Sequence, residues 1–182
     1  PAGIRSAADE IASRTGPGRT AAYNAAYLTP IDYASGAGRN VEDVFSRVPQ
    51  PILKASIDAA NEEIMSNKAL RDAGIRQILV DVADDGTVAF RDLPTVPQLD
   101  QIKRGLQSVA YRNTDTFGRL NPDGARYNRL AGELRDATID ATGGTNGAYA
   151  KAVAAGGDKI AEDEALKLGS EILSNRVKRE DV

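Results

Sequence analysis

The side chains here that can move a proton or attack a carbon are carboxylates, hydroxyls, amines and guanidiniums, because the sequence holds no histidine and no cysteine. That removes Ser–His and Cys–His nucleophiles, imidazole acid–base work, and nearly every zinc, haem or iron–sulfur site. It also removes a disulfide framework and a thiol redox switch.

Four spacings remain to be weighed. Asp81, Asp85, Gly86 and Asp92 outline a calcium loop. With Gly86 in the sixth position of such a loop, however, Ala83 falls at the third, where an oxygen ligand is needed. The flanks also alternate like strands, so a plain turn is the better reading. GPGRT at 16–20 and GAGRN at 36–40 each hold Gly-x-Gly followed by Arg. A phosphate loop needs a further glycine, a lysine and a strand leading in. Both segments are therefore expected to be helix-breaking loops. Carboxylates cluster at Glu62/Glu63 and at Glu162/Asp163/Glu164. Glycoside hydrolysis needs two across a cleft, one of them in an apolar setting, whereas these sit like solvated helix faces.

The fourth spacing is basic and aromatic. Arg104, Arg112, Arg119, Arg126 and Arg129 fall in one third of the chain, with Tyr111 and Tyr127 between them. Antiparallel flanking helices would bring several of these arginines to one face, a weak nucleic-acid surface. Asp115, Asp123, Glu133 and Asp136 dilute that face, and an Arg129–Glu133 pair one turn apart is expected. A mixed, salt-bridged surface is favoured. Tyr23, Tyr27 and Tyr33 form the densest aromatic set. They serve either as core anchors or as an interface with a partner. Burying a ring while keeping its hydroxyl wet suits tyrosine and favours the core.

The elements that must position these residues are mostly helical. Ser6 to Thr15 has helical character, stops at Gly16-Pro17-Gly18, and helix resumes from Arg19 to Leu28. After the loop TPIDYASGAGRN, Asn40 is expected to cap the short helix VEDVFSRV, which Pro49 ends. Pro51 starts a helix whose stripe is Leu53, Ile57, Ala60 and Ile64, and Gly74 closes that region. The period then drops to two. Ile78, Val80 and Val82, then Val88 and Phe90, flank Asp84-Asp85-Gly86, which predicts a β-hairpin over about 75–92. Two strands are marginal alone, so the hairpin should lie on the helices. Leu99, Ile102, Leu106 and Val109 mark a helix over 96–111, led in by Pro94 and Pro97. NTDTFGRLNPDG is a loop, and Ala125–Ala141 a helix with Tyr127, Leu130, Leu134 and Thr138 on one face. TGGTNG breaks the chain before a last helical stretch with Ala161, Ala165, Leu168 and Ile172 in register.

Composition agrees with that plan. Hydrophobic residues make up 41% but aromatics only 5%, so the core must be Ala, Leu, Ile and Val, which suits packed helices. With 26 acidic against 23 basic residues there is no concentrated positive field for nucleic acid. No apolar run approaches the roughly 20 residues that span a bilayer, and the opening segment, already a polar helix pattern, is not expected to be a signal peptide. Pro1 and the charged ending SNRVKREDV suit either a trimmed chain or a piece excised from a longer one. The expectation is a single mostly helical domain over 1–182: five to seven helices with one hairpin packed against them. N-terminal helices and a loop fill 1–40, and a helical core with the hairpin fills 41–182.

Three phrases carry a resemblance: the PIDY centred on Tyr33, the DDGT turn of the hairpin, and PQLDQIKRGL. With the order of segments around them, the chain resembles a mostly helical region within large, poorly characterised proteins of bacteriophages and prophages, especially of alphaproteobacteria. The resemblance covers nearly the whole chain; the link TGGTNG departs from the tighter connection expected. It implies a piece of a minor virion component, carried inside the particle or delivered with the genome, and no catalytic motif. The function expected is therefore a non-enzymatic structural or assembly domain, without cofactor or metal, in the virion or the host cytoplasm during assembly. Its partners would be other segments of a larger phage protein, other virion subunits, or further copies of itself. The alternative is an intracellular helical module binding nucleic acid or a host protein. A lytic enzyme would need Glu133 or Glu162 as acid–base groups, and no sequence feature favours it.

Overall fold

Capping residues and prolines set where each helix starts in residues 16–155, which a computed structural model describes. Helix α1 spans Gly16–Tyr27 and α2 spans Gly36–Arg47. The Ser35 hydroxyl accepts from the Gly38 amide and opens α2, so the expected cap at Asn40 is corrected. The glycine stretch at 36–40 is the first turn of a helix, not a breaking loop. Gly38 is obligatory there, because a Cβ would collide with the Asp32 carbonyl. Gly16-Pro17-Gly18 likewise opens α1, with proline in the first turn where its missing N–H is harmless. A division between residues 40 and 41 cuts through α2.

Helix α3, Gln50–Ser66, carries Pro51 in its first turn and buries all four residues of the expected stripe. Asn67 caps the short α4, Lys68–Asp72, and Gly74 leaves it with a positive φ of 78°. The hairpin follows as β1, Val80–Val82, antiparallel to β2, Val88–Phe90, with Val80 opposite Phe90 and Val82 opposite Val88. Gly86 takes φ 87° in the turn. There Asp85 accepts from the Thr87 amide at 3.0 Å, and that bond holds its carboxyl below the usual range. Asp81 pairs with Arg91 at 2.9 Å. Two helical amides tie the hairpin down. Asn61 of α3 accepts from the Ile78 amide at 2.7 Å and donates to its carbonyl at 2.9 Å, and Gln50 accepts from the Val88 amide at 2.7 Å. Side chains thus satisfy backbone groups that a third strand would otherwise take. Phe90 lies against Phe45, ring centres 5.0 Å apart.

Helix α5 is Val96–Arg112 and α6 is Pro122–Ala141. The latter begins earlier than expected: Asn121 caps it, Pro122 takes the first position, and Asp123 favours the first-turn dipole. The turn-rich NPDG is therefore a helix start. TGGTNG does break the chain, through Gly143 at φ 99° and a 3₁₀ turn Gly144–Asn146, before α7, Ala148–Ala154. The readings of Ser6–Thr15, of Glu162/Asp163/Glu164 and of Ala161, Ala165, Leu168 and Ile172 lie outside the described residues.

The chain is mainly α, seven α-helices among the described residues with one hairpin packed on them. The main core gathers Val41 and Phe45 of α2, Leu53 and Ile57 of α3, Leu99, Ile102 and Leu106 of α5, and Leu130 and Leu134 of α6. Gly105 lets α5 approach so near α3 that a Cβ would strike the Ser56 carbonyl. A second, smaller cluster holds Ala26 of α1, Val96 of α5, and Tyr149 and Ala152 of α7. No helix among the described residues is long and apolar enough to cross a membrane.

Candidate functional site

Helix α5 carries two stripes. Leu99, Ile102, Leu106 and Val109 face aliphatic neighbours, as their spacing requires. One step round the helix stand Asp100, Lys103 and Gln107, all polar and all buried. They are buried because α3 and α6 cover one side of α5 while α1 and α7 reach it from another.

The centre of this second stripe is the Asp100 carboxylate, 0% exposed. Its Oδ1 accepts from Lys103 Nζ at 2.9 Å and from the Tyr149 hydroxyl at 3.1 Å. Its Oδ2 accepts from the Tyr27 hydroxyl at 2.9 Å and from Arg104 Nε at 3.2 Å. Lys103 also donates to the Tyr149 hydroxyl at 3.3 Å and sits 5.8 Å from the centre of that ring. The Arg104 guanidinium lies 5.6 Å from the centre of the Tyr23 ring, which meets Tyr27 edge-on at 5.7 Å. Burial by itself would raise the Asp100 pKa. The Lys103 and Arg104 charges, with hydrogen bonds from Lys103 and Tyr27, outweigh it and hold the carboxyl at about 2. Burial, and then the neighbouring carboxylate, push the Tyr27 hydroxyl well above its ordinary range.

Lysine, tyrosine and aspartate in mutual contact are residue types that relay protons in enzymes. Here the side chains of Asp100 and Lys103 are 0% and 1% exposed, and Tyr149 is 1% exposed. Their polar atoms are bonded to one another, so no substrate atom reaches them in this arrangement. What the cluster does is hold three helices together, α1 through Tyr27, α7 through Tyr149 and α5 through the ion pair.

The three tyrosines singled out by sequence all face inward and are half-buried. Tyr23 and Tyr27 belong to this cluster, whereas Tyr33 donates to the Pro94 carbonyl at 2.5 Å and pins the loop after α1 to the lead-in of α5. Burial and the Glu42 charge raise the Tyr33 hydroxyl pKa. The five arginines are not one group. Arg104 is engaged with Asp100, while Arg112, Arg126 and Arg129 are exposed along the ends of α5 and α6. Arg119 pairs with Asp115 at 3.6 Å and lies over the exposed Phe117 ring. Glu133 pairs with Arg47 of α2 at 2.9 Å, which corrects the expected pair with Arg129.

Asp100, Lys103 and Tyr149 escaped the sequence reading. An Asp followed three and four residues later by Lys and Arg is the ordinary signature of a solvated helix face. The available signal was the tyrosine excess in an aromatic-poor chain, since rings with hydroxyls are what cover a buried charge. Among the described residues no group of three or more candidate metal ligands stands together. Set against family models, curated proteins and solved structures, the chain matches none.

Proposed function

We propose that this chain is a non-enzymatic structural or assembly module of a larger phage or prophage virion-associated protein. It acts by holding neighbouring segments or subunits through its helical surfaces. One observation supports the non-enzymatic part: the Asp100–Lys103–Tyr149 constellation is closed to solvent and, with Tyr27, joins α1 and α7 to α5. The phage setting rests on the resemblance carried by the PIDY, DDGT and PQLDQIKRGL phrases. The partners in this reading are other segments of that protein, other virion subunits or further copies of the chain. Its place is the virion, or the host cytoplasm during assembly.

The test is peptide mass spectrometry on purified particles of the phage or induced prophage whose genome carries the sequence. Reproducible recovery of peptides from this chain at a fixed copy number is the expected result. Expression in infected cells with absence from particles overturns it and favours an intracellular module that binds nucleic acid or a host protein. Salt separates those two ligands, because phosphate contacts weaken steeply with ionic strength and a helix–helix interface does not.

A further inference from the structure

We propose that the chain pairs with a second copy of itself through one end of the bundle, where a basic loop of each copy meets the acidic hairpin turn of the other. The inference deepens the assembly reading by naming the partner, and it does not need the phage setting.

Both parts of the surface stand at the same end. Gln50, the first residue of α3, accepts from the Val88 amide, which sets the Asp84-Asp85-Gly86 turn beside the start of α3. Ile52 and Ala55 of that helix pack on the cluster of Val109, Ala110 and Tyr127. A Cβ on Gly124 would strike the Asn113 and Ala110 carbonyls, so the start of α6 lies against the end of α5. Residues 113–121, which join α5 to α6, therefore emerge at the same end as the hairpin turn.

The two parts are opposite in charge. Arg112, Arg126 and Arg129 are exposed and have no ion-pair partner among the described residues, and Arg119 of the joining loop adds a fourth guanidinium. Against them stand Asp115, which pairs with Arg119 at 3.6 Å, and Asp123 in the first turn of α6. The loop end is left net positive. At the turn, Asp84 and Asp85 are exposed and likewise have no ion-pair partner among the described residues. Asp81 is already neutralised by Arg91 at 2.9 Å.

An apolar anchor stands within the basic part. Phe117 is 77% exposed, yet its loop is fixed. The Asp115 carboxylate accepts from the Phe117 and Arg119 amides at 2.9 Å each, and Thr114 bridges Leu120. A large ring held in water on an ordered loop needs little further ordering on association, which suits an interface anchor. Val82, next to the turn and 49% exposed, gives that ring an apolar counterpart on the other copy. Because turn and loop share one end, a two-fold axis lets each copy offer its loop and receive the other's in one contact. Opposite charges at both halves of that contact fix its register.

Sedimentation of the whole chain tests this. Between about 1 µM and about 1 mM, the span in which a small polar interface forms, the mass should rise from monomer to dimer and stop there. Raising salt from about 50 mM to about 500 mM should weaken the dimer about tenfold. Phe117→Ala should weaken it by a similar factor of about ten without lowering the melting temperature. Charge reversal is the sharper arm. One variant is Asp84→Lys with Asp85→Asn, which keeps an acceptor for the Thr87 amide; the other is Arg126→Glu with Arg129→Glu. Each should be monomeric alone, and an equal mixture should form a heterodimer, because opposite charges then face each other again. A chain that stays monomeric throughout, growth beyond a dimer, a dimer that survives either reversal, or reversed variants that fail to recombine overturns the proposal. The particle experiment fails separately: a dimer in solution that is absent from particles loses only the phage setting.

Discussion

The two sides of α5 are closed by opposite means. Toward α3 and α6 the cover is aliphatic and close enough that a Cβ on Gly105 would strike the Ser56 backbone. Toward α1 and α7 it is an ion pair roofed by tyrosines, beside the cluster of Ala26, Val96, Tyr149 and Ala152. The first kind of contact penalises lost volume and the second penalises lost charge balance. One helix is therefore held by apolar packing on one side and by a polar cluster on the other.

The comparison breaks or sharpens under substitution, most of all in the aliphatic core. Leu134→Ala and Ile57→Ala, both at sites 0% exposed, should each cost about 2–5 kcal/mol in urea unfolding. A loss below about 1 kcal/mol at either site would mean that core is not close-packed. On the other side, Asp100→Ala removes the carboxylate that pairs with the buried Lys103 and should cost about 3 kcal/mol, an outcome typical of a broken buried pair. Replacing both charges, Asp100→Leu with Lys103→Met, should cost less than Asp100→Ala, because the buried amine goes with its carboxylate, although the Tyr27 and Tyr149 hydroxyls still lose their acceptor. If the double variant is as unstable as the single one, charge balance does not govern that face.

Acid gives the next largest difference. The Asp100 carboxyl has a lower pKa folded, about 2, than its ordinary 3.8. Between those values the unfolded chain binds the extra proton. Stability from this group is thus present above 3.8 and is lost as pH falls through about 2. Circular dichroism melts should show that loss in the parent chain and a flatter acid limb in the Asp100→Leu, Lys103→Met variant. Tyr27→Phe removes one neutral donor to the carboxylate and should cost about 1 kcal/mol, read by the same melts. Smallest is Arg47→Ala. Its bridge to Glu133 is exposed on both sides, 46% and 40%, so a change below about 1 kcal/mol is expected.

Legibility followed the same divide. Leu53, Ile57, Ala60 and Ile64, and likewise Leu99, Ile102, Leu106 and Val109, repeat at helical spacing and are all buried. Period alone identified them because one apolar face per helix is what a two-layer core needs. The hairpin was equally plain from alternation around Asp84-Asp85-Gly86, though its strands are the shorter Val80–Val82 and Val88–Phe90. Helix starts were misplaced where glycine or an Asn-Pro-Asp-Gly run looked like punctuation. At Gly36–Asn40 and Asn121–Gly124 the same residues serve as caps and first turns. Turn chemistry and helix-start chemistry share residue types, and only the packing that follows tells them apart.

By itself the sequence determined a mainly helical chain with one hairpin, an aliphatic core, and no imidazole or thiol chemistry. Those properties follow from composition and short-range periodicity, which every stretch of chain carries locally. Only the tertiary structure decided that Asp100 and Lys103 are interior, that Tyr149 closes over them, and that Arg104 turns to them and away from the other arginines. A charged stripe one step round from an apolar stripe looks the same on a surface helix as on a central one. What distinguishes them is whether a second layer covers it, and Tyr27 and Tyr149, which supply that layer, lie 73 and 49 residues away along the chain.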